Sequence, residues 1–121
     1  MVATAAALKT WLSQFGWPVY GANDVPHDAE LPYITVPVKE PAWDQKTAYM
    51  IQLWARTKEN EALMQKADQI CAAVGVGVRV PCTGGLLVIW PDNPLQQVLP
   101  DGNVRRVLIA LQLNAYHCPG I

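Results

Sequence analysis

A single cysteine is the strongest candidate nucleophile in the sequence. Cys82 lies in the run Pro81-Cys-Thr-Gly-Gly85, where flexible backbone N–H groups could hold an oxyanion and His27 or His117 could act as a base. The same run is also an ordinary turn between two strands, and a cysteine and a histidine far apart in sequence often coincide by chance. We therefore interpret Cys82 as a turn residue and keep a cysteine-dependent enzyme or small-ligand module as the alternative.

Two further constellations carry less chemistry. The only serine, Ser13, lies in a predicted helix and lacks the Gly-x-Ser-x-Gly turn that exposes a nucleophile. His117, Cys118 and Cys82 offer three metal ligands, but adjacent ligands seldom point at one tetrahedral ion and no fourth ligand is evident. The sequence predicts neither a serine hydrolase nor a metal site.

An acidic loop and a glycine pair complete the search for chemistry. Asp24, Asp28 and Glu30 lie close together, but they lack the register of alternating oxygens and a distal Glu that a calcium loop needs. Gly75-Val-Gly77 lacks the third glycine of a dinucleotide fingerprint and the Gly-Lys-Ser/Thr of a P-loop. We predict a solvated loop, a helix end feeding a strand, no cofactor and no enzymatic activity.

Composition limits the class of protein. The 121 residues are 51% hydrophobic and 16% charged, which predicts a single folded domain over residues 1–121 and excludes intrinsic disorder. Such a thin polar coat on a small domain indicates that part of the surface contacts protein. The formal charge of −1, without a basic tail, argues against nucleic-acid binding through counterion release.

The cysteines and the N-terminus predict the compartment. Three cysteines, Cys71, Cys82 and Cys118, are an odd number without C-x-x-C spacing, so we expect free thiols in a reducing environment. The apolar start lacks a cationic n-region and meets Lys9 early, and no window holds about 18 consecutive apolar residues. We expect a mature intracellular chain with no membrane segment.

Two helices follow from hydrophobic periodicity. One is predicted over residues 3–15 and ends at Gly16; the other is predicted over 58–74, begins after Thr57 as N-cap and ends at Gly75. The apolar stripes are Leu8, Trp11, Leu12 and Phe15 in the first, and Leu63, Ala67, Ile70 and Val74 in the second.

The strands are predicted from alternation and β-branching. Residues 31–38 contain Pro32 and Pro37, which cannot donate ladder bonds, so we expect an edge strand there. Residues 47–56 are apolar on both faces, which favours a central strand. Further strands are predicted over 76–80, 86–90 and 95–99, with turns at 81–85 and 91–94.

The last segment fits either a helix or a strand. The Pro100-Asp-Gly-Asn103 hairpin signal and the β-branching of residues 104–116 favour a strand. The predicted order is therefore α-β-β-α-β-β-β-β, an α+β fold with a mainly antiparallel sheet packed by two helices.

Five tryptophans are many for this length. Trp11 and Trp54 lie on elements predicted to face the core. Trp43 and Trp90 lie beside prolines in predicted connections, where rigid exposed aromatics are typical interface anchors; a loop that folds back over each ring is an equal alternative. The predicted interface residues are Trp43, Pro41, Trp90 and Pro91, with Tyr33 and Thr35 on the predicted edge strand.

Several short runs together resemble a known family. They are Leu8-Lys-Thr-Trp-Leu12, Trp17-Pro-Val-Tyr20, Leu31-Pro-Tyr-Ile-Thr-Val36, Gln52-Leu-Trp-Ala-Arg56 and Ala67-Asp-Gln-Ile70. Over roughly residues 5–75, the pattern resembles the tail-terminator or tail-completion proteins of long-tailed bacteriophages and prophages. The remainder is similar only loosely, and the two-proline strand and the Pro81–Gly85 turn have no match.

The resemblance implies a structural virion protein. A member of this family is an α+β subunit that forms a homohexameric ring, caps the tail tube and joins it to the head-side connector. It would be assembled in the host bacterial cytoplasm and would end in the neck of the virion, with DNA passing through without specific binding. The resemblance carries over no site residue, and a head-closure or other neck protein is an alternative in the same class.

Overall fold

The described part of the chain forms a six-stranded sheet and two α-helices. The computed structural model describes residues 3–37, 45–82 and 84–117. The sheet order is β1-β2-β3-β6-β5-β4, and every neighbouring pair is antiparallel except β1 with β2. The predicted α+β fold is confirmed. The elements are α1 (Ala3–Ser13), β1 (Val19–Gly21), β2 (Tyr33–Val36), β3 (Lys46–Arg56), a 3-10 turn (Thr57–Glu59), α2 (Asn60–Val74), β4 (Val78–Cys82), β5 (Gly85–Asp101) and β6 (Val104–His117).

The two helices begin and end close to the predicted positions. Helix α1 is followed by Gly16, whose φ of +89° is accessible to glycine at little cost. The turn before α2 is fixed by Glu59, whose Oε1 accepts a hydrogen bond from the Arg56 backbone N–H at 3.3 Å. At the other end, the Gly75 N–H donates to the Cys71 carbonyl at 3.0 Å. The whole predicted apolar stripe of α2 is buried: Leu63, Ala67, Ile70 and Val74.

The core lies between the helices and one face of the sheet. Helix α2 packs on the middle strands β3, β5 and β6, whereas α1 contacts both β4 and β1, the strands at the two edges. Six flat strands would hold these edges about 24 Å apart, more than one helix can span, so the sheet curls toward α1. The largest buried side chains that line this core include Tyr49, Leu8, Leu12, Ile34, Ile51, Leu53, Leu87, Ile89, Ile109 and Leu111.

Strand β3 is central, as predicted, with β2 on one side and β6 on the other. Its pairing with β6 runs without interruption from Lys46 opposite Asn114 to Arg56 opposite Val104. The ambiguous C-terminal segment is therefore a strand. Its Val107, Ile109, Leu111 and Leu113 are all fully buried, and only a strand places every second residue on one face.

Strand β2 is not an edge strand, and this prediction was wrong. The outer side of β2 pairs with β1: the Ile34 N–H donates to the Pro18 carbonyl and the Ala22 N–H donates to the Val36 carbonyl, both at 2.8 Å. Pro32 and Pro37 flank the strand instead of interrupting it, so neither removes a ladder donor.

Strand β5 joins two predicted strands into one. The segments predicted at 86–90 and 95–99 both pair with β6, and the turn predicted at 91–94 is only a register shift between Pro91 and Gln96. The long β6 offers partners to both halves, so the chain keeps its direction through the two prolines. Trp90 and Pro91 consequently lie in a strand and not in a connection, which corrects the prediction. Strand β4 begins at Val78, and Val76 is 90% exposed.

Candidate interaction surface

The face of the sheet opposite the core carries the candidate site. Neither α1 nor α2 packs on it, so among the described residues no helix covers it. We call it the open face. It consists of Tyr20, Tyr33 and Thr35, of Arg79 and Pro81, and of every second residue from Lys46 to Arg56, from Leu86 to Trp90 and from Arg106 to Tyr116.

An aromatic row crosses β1, β2 and β3 on the open face. The ring centroids of Tyr20 and Tyr33 lie 5.6 Å apart in an edge arrangement, and those of Tyr33 and Trp54 lie 6.4 Å apart. The Arg106 guanidinium continues the row at 5.1 Å from the Trp54 ring. Stacking of this kind fixes the planes of large side chains, so the row is a rigid surface.

Hydrogen bonds hold the aromatic row in place. Trp54 Nε1 donates to Thr35 Oγ1 at 3.0 Å, and Arg106 Nη1 donates to Gln52 Oε1 at 3.1 Å. Thr35 is only 5% exposed, so its hydroxyl acts as a support under the indole. Trp54 therefore lies half-buried on the open face, and the expectation that it faces the core was wrong.

A second group of residues lies at the β4–β5 side of the open face. The register places Lys46, Asn114, Val88 and Arg79 side by side on β3, β6, β5 and β4. Lys46 and Arg79 are exposed at the two ends, and Val88 and Asn114 are buried between them. We call these four residues the basic row.

Trp90 borders the basic row. Its ring lies so close to Gly77 that a Cβ on that glycine would stand 2.9 Å from two ring carbons. The Lys46 ammonium lies 5.6 Å from the Trp90 ring centroid on the open face. Trp90 Nε1 is buried and has no hydrogen-bond partner among the described residues. The ring is thus packed within the subunit, with part of its surface left exposed.

Asn114 adds a buried polar group to the basic row. It is 7% exposed, and its Nδ2 donates to the Tyr116 hydroxyl at 3.1 Å. Its Oδ1 accepts no hydrogen bond from the described residues. A buried acceptor without a donor costs free energy, so this position lowers the stability of the fold.

The six predicted interface residues divide into three groups. Tyr33 and Thr35 lie in the aromatic row, and Trp90 with Pro91 lies on β5 beside the basic row. Pro41 and Trp43 lie outside the described residues. Sequence reasoning missed Tyr20, Trp54 and Arg106; the signal for them was the polar Gln52 between two apolar residues on one face of β3, together with an arginine on the strand that pairs with it.

The open face and the loop between β1 and β2 carry charges of opposite sign. Four side chains in paired positions of the open face are cationic: Lys46, Arg56, Arg79 and Arg106. None of the other described side chains in those positions is acidic. The loop from residue 22 to residue 30, between β1 and β2, instead carries exposed Asp24, Asp28 and Glu30 and no Lys or Arg. We call it the acidic loop.

The two described cysteines are Cys71 and Cys82, and both are partly buried. Burial, with a smaller contribution from Asp68, raises the pKa of the Cys71 thiol, whose Sγ lies 3.6 Å from Gln96 Oε1. Cys82 is half-buried against the core at the end of β4, and His27 is exposed in the acidic loop. The His117 side chain and Cys118 lie outside the described part of the chain.

The histidine nearest to Cys82 is placed by backbone register alone. Gly85 on β5 pairs with Cys82 on one side and with His117 on the other.

No group of three possible metal ligands occurs among the described residues. In the same part of the chain, no helix is long and apolar enough to cross a membrane.

Fold and surface together define an α+β domain whose curled sheet is packed by helices on one side and carries an aromatic and cationic face on the other. No protein-family model matches the chain, and the search of curated proteins found no relative. Among solved structures, it is similar to a chain of the virion of a native gene transfer agent particle, with 17% identity and a TM-score of 0.66. The match covers 95% of this chain and 98% of that one. At this identity the likeness shows a common fold.

Proposed function

We propose that this chain is a structural virion protein that closes the tail tube of a long-tailed phage or prophage as a ring and joins it to the head-side connector. The observation that carries the proposal is the end-to-end fold match with a chain of a virion, 95% against 98%. The resemblance of residues 5–75 to tail-terminator proteins supplies the particular role.

The surface supports an assembly role. The open face presents preorganised aromatic and cationic side chains, and residues of this kind are enriched at protein contacts. Exposed apolar area remains at Met50, which is 49% exposed, and at Tyr116, at 39%. A subunit that joins other subunits through such a face needs no catalytic group, and we propose none.

The charge is suited to a ring through which DNA passes. The chain has nine Lys and Arg against ten Asp and Glu, so its overall field does not draw phosphates strongly. A ring that gripped DNA would slow its passage. We propose that DNA moves through without specific contacts.

Deletion of the gene in a complete phage or prophage tests the role. Loss of a cap that stops tube growth should give tails of uncontrolled length in electron micrographs, whereas loss of a head-closure protein should give tails of normal length beside unattached heads. Light scattering of the purified chain should show an oligomer, either alone at high concentration or with tail tube protein. Normal infectious particles from the deletion strain would contradict the proposal.

Cys82→Ser separates the structural role from a cysteine enzyme. We expect the variant to fold and to support particle assembly at the wild-type level, with Cys71→Ala as the matched change at a buried thiol. Loss of assembly from Cys82→Ser alone, with the fold intact by circular dichroism, would favour the enzyme or ligand module.

A further inference from the structure

We propose that copies of this chain contact one another head to tail, with the acidic loop of one copy lying on the basic row of the next. This contact rests on the proposed ring and names the surfaces that form it. The argument comes from the charges, the burial and the opposite placement of these two surfaces.

The basic row has the charges needed to bind carboxylates. Its two cations, Lys46 and Arg79, are exposed at the ends, while Val88 and Asn114 between them are 6% and 7% exposed and form a flat floor. The exposed edge of Trp90 forms one border. Carboxylates that dock there gain charge-assisted contacts with the cations at both ends of the row.

The acidic loop is a complementary ligand from the same chain. Three of the ten carboxylates lie within residues 22–30, at exposed Asp24, Asp28 and Glu30. Backbone hydrogen bonds shape the loop: the Asp24 N–H donates to the Gly21 carbonyl at 2.9 Å, and the Ala29 N–H donates to the Pro26 carbonyl at 3.1 Å. A loop held in this way loses less conformational entropy on docking than a flexible one.

The two surfaces belong to opposite ends of the strand order. The acidic loop follows β1 at one edge of the sheet, and Arg79 lies on β4 at the other edge. A contact between two different patches is heterologous, and heterologous contacts close into rings when the rotation between copies allows it.

Another copy of the chain is a better occupant than DNA. A phosphate backbone would also be attracted to Lys46 and Arg79, but the chain's net charge of −1 opposes it. The loop offers three carboxylates on a surface shaped by backbone hydrogen bonds, and it is present at the concentration of the subunit itself.

Charge reversal in pairs tests the contact. The row variant Lys46→Glu/Arg79→Glu and the loop variant Asp24→Lys/Asp28→Lys should each weaken assembly at least about tenfold in dissociation constant, because like charges then face each other. A chain that carries all four changes should recover assembly to within about threefold of wild type, since every contact in the ring again joins opposite charges. Assembly is measured by sedimentation and light scattering, with tail tube protein if that is required.

Matched controls show that the location of the charge matters. Lys58→Glu and Glu61→Lys reverse exposed charges at the start of α2 that belong neither to the open face nor to residues 22–30, and they should leave assembly unchanged. Circular dichroism checks the fold of every variant. If a reversal prevents folding, Lys46→Gln/Arg79→Gln and Asp24→Asn/Asp28→Asn take its place, with weakening expected from each pair.

Three results would overturn the contact. Wild-type assembly in both single-surface variants, or a four-change chain no better than either, would refute it while leaving the ring intact. A row variant that assembles normally but loses binding to a short DNA duplex in fluorescence polarisation would assign the row to nucleic acid. A wild-type chain that stays monomeric even with tail tube protein would refute the proposed ring and this contact together.

Discussion

Gly77→Ala should destabilise the fold far more than an ordinary glycine substitution. Gly77 precedes β4 with a φ of +140°, and a Cβ built there would stand 2.9 Å from Cε3 and Cζ3 of Trp90. Two penalties therefore act at one position: a backbone conformation that L-residues rarely adopt, and a steric clash with a large ring held on β5.

The magnitude follows from these two penalties. Backbone strain of this kind costs about 1–3 kcal/mol, and forcing an extra methyl against a packed ring costs about 1–3 kcal/mol. We expect the free energy of unfolding to fall by about 2–6 kcal/mol, a large part of the roughly 5–15 kcal/mol that holds a domain together.

Gly102→Ala is the matched control. Gly102 has a φ of +64° in the hairpin between β5 and β6, and a Cβ there would meet nothing within 4 Å. The same methyl group is added without a clash, so we expect a loss of only about 1–2 kcal/mol. Urea unfolding followed by far-UV circular dichroism measures both variants.

The Trp90→Ala background isolates the clash. With the ring removed, Gly77→Ala should cost only its backbone strain, so the two substitutions should be coupled by about 1–3 kcal/mol in a double-mutant cycle. A cost for Gly77→Ala that equals that of Gly102→Ala, or a coupling near zero, would refute the packing of Trp90 on Gly77.

Three further outcomes follow from the described contacts. Thr35→Val should lower the free energy of unfolding by about 1 kcal/mol in urea unfolding, because Trp54 Nε1 loses its acceptor. An unchanged free energy of unfolding would show that the Thr35 hydroxyl does not stabilise the Trp54 indole. Trp54→Ala should cost less than Ile109→Ala, which empties a fully buried site and should cost about 2–5 kcal/mol; a larger loss from Trp54→Ala would return that ring to the core. The pKa of Cys71 is raised above its ordinary 9.0 by burial and by Asp68, so its contribution to stability is present below pH 9 and falls as the pH rises further. Urea titrations at about pH 8 and pH 10 should therefore show a larger loss for wild type than for Cys71→Ala, and equal losses would contradict the shift.

The candidate site was only partly predictable from the sequence. Tyr33, Thr35 and Trp90 were selected from residue type and neighbouring prolines, and the structure places all three on the open face or at its border. Trp54 was assigned to the core because its strand is apolar on both faces. The packing of α1 and α2 on the opposite face of the sheet, which depends on residues distant in the chain, shows that the face with Trp54 is the uncovered one.

Local patterns determined the elements of this protein. The i, i+3, i+4 stripe of α2, the glycine at its end, the alternation along β3 and the hairpin residues before β6 depend on neighbours within a few positions, and each was predicted correctly. These signals reflect backbone geometry and the burial of one face, which a short segment carries by itself.

Tertiary structure decided what joins these elements. The pairing of the three-residue β1 with β2, the continuation of β5 through Pro91 and the choice of the covered face all depend on partners tens of residues away. A backbone N–H or carbonyl can be satisfied by any neighbouring strand, so the local sequence does not reveal which strand will pair with it. For this reason the pairing of β1 with β2, and of β6 with both halves of β5, has no local signal. Pro32 and Pro37 predicted an edge strand, but the distant residues Val19–Gly21 pair with β2 and make it an inner strand.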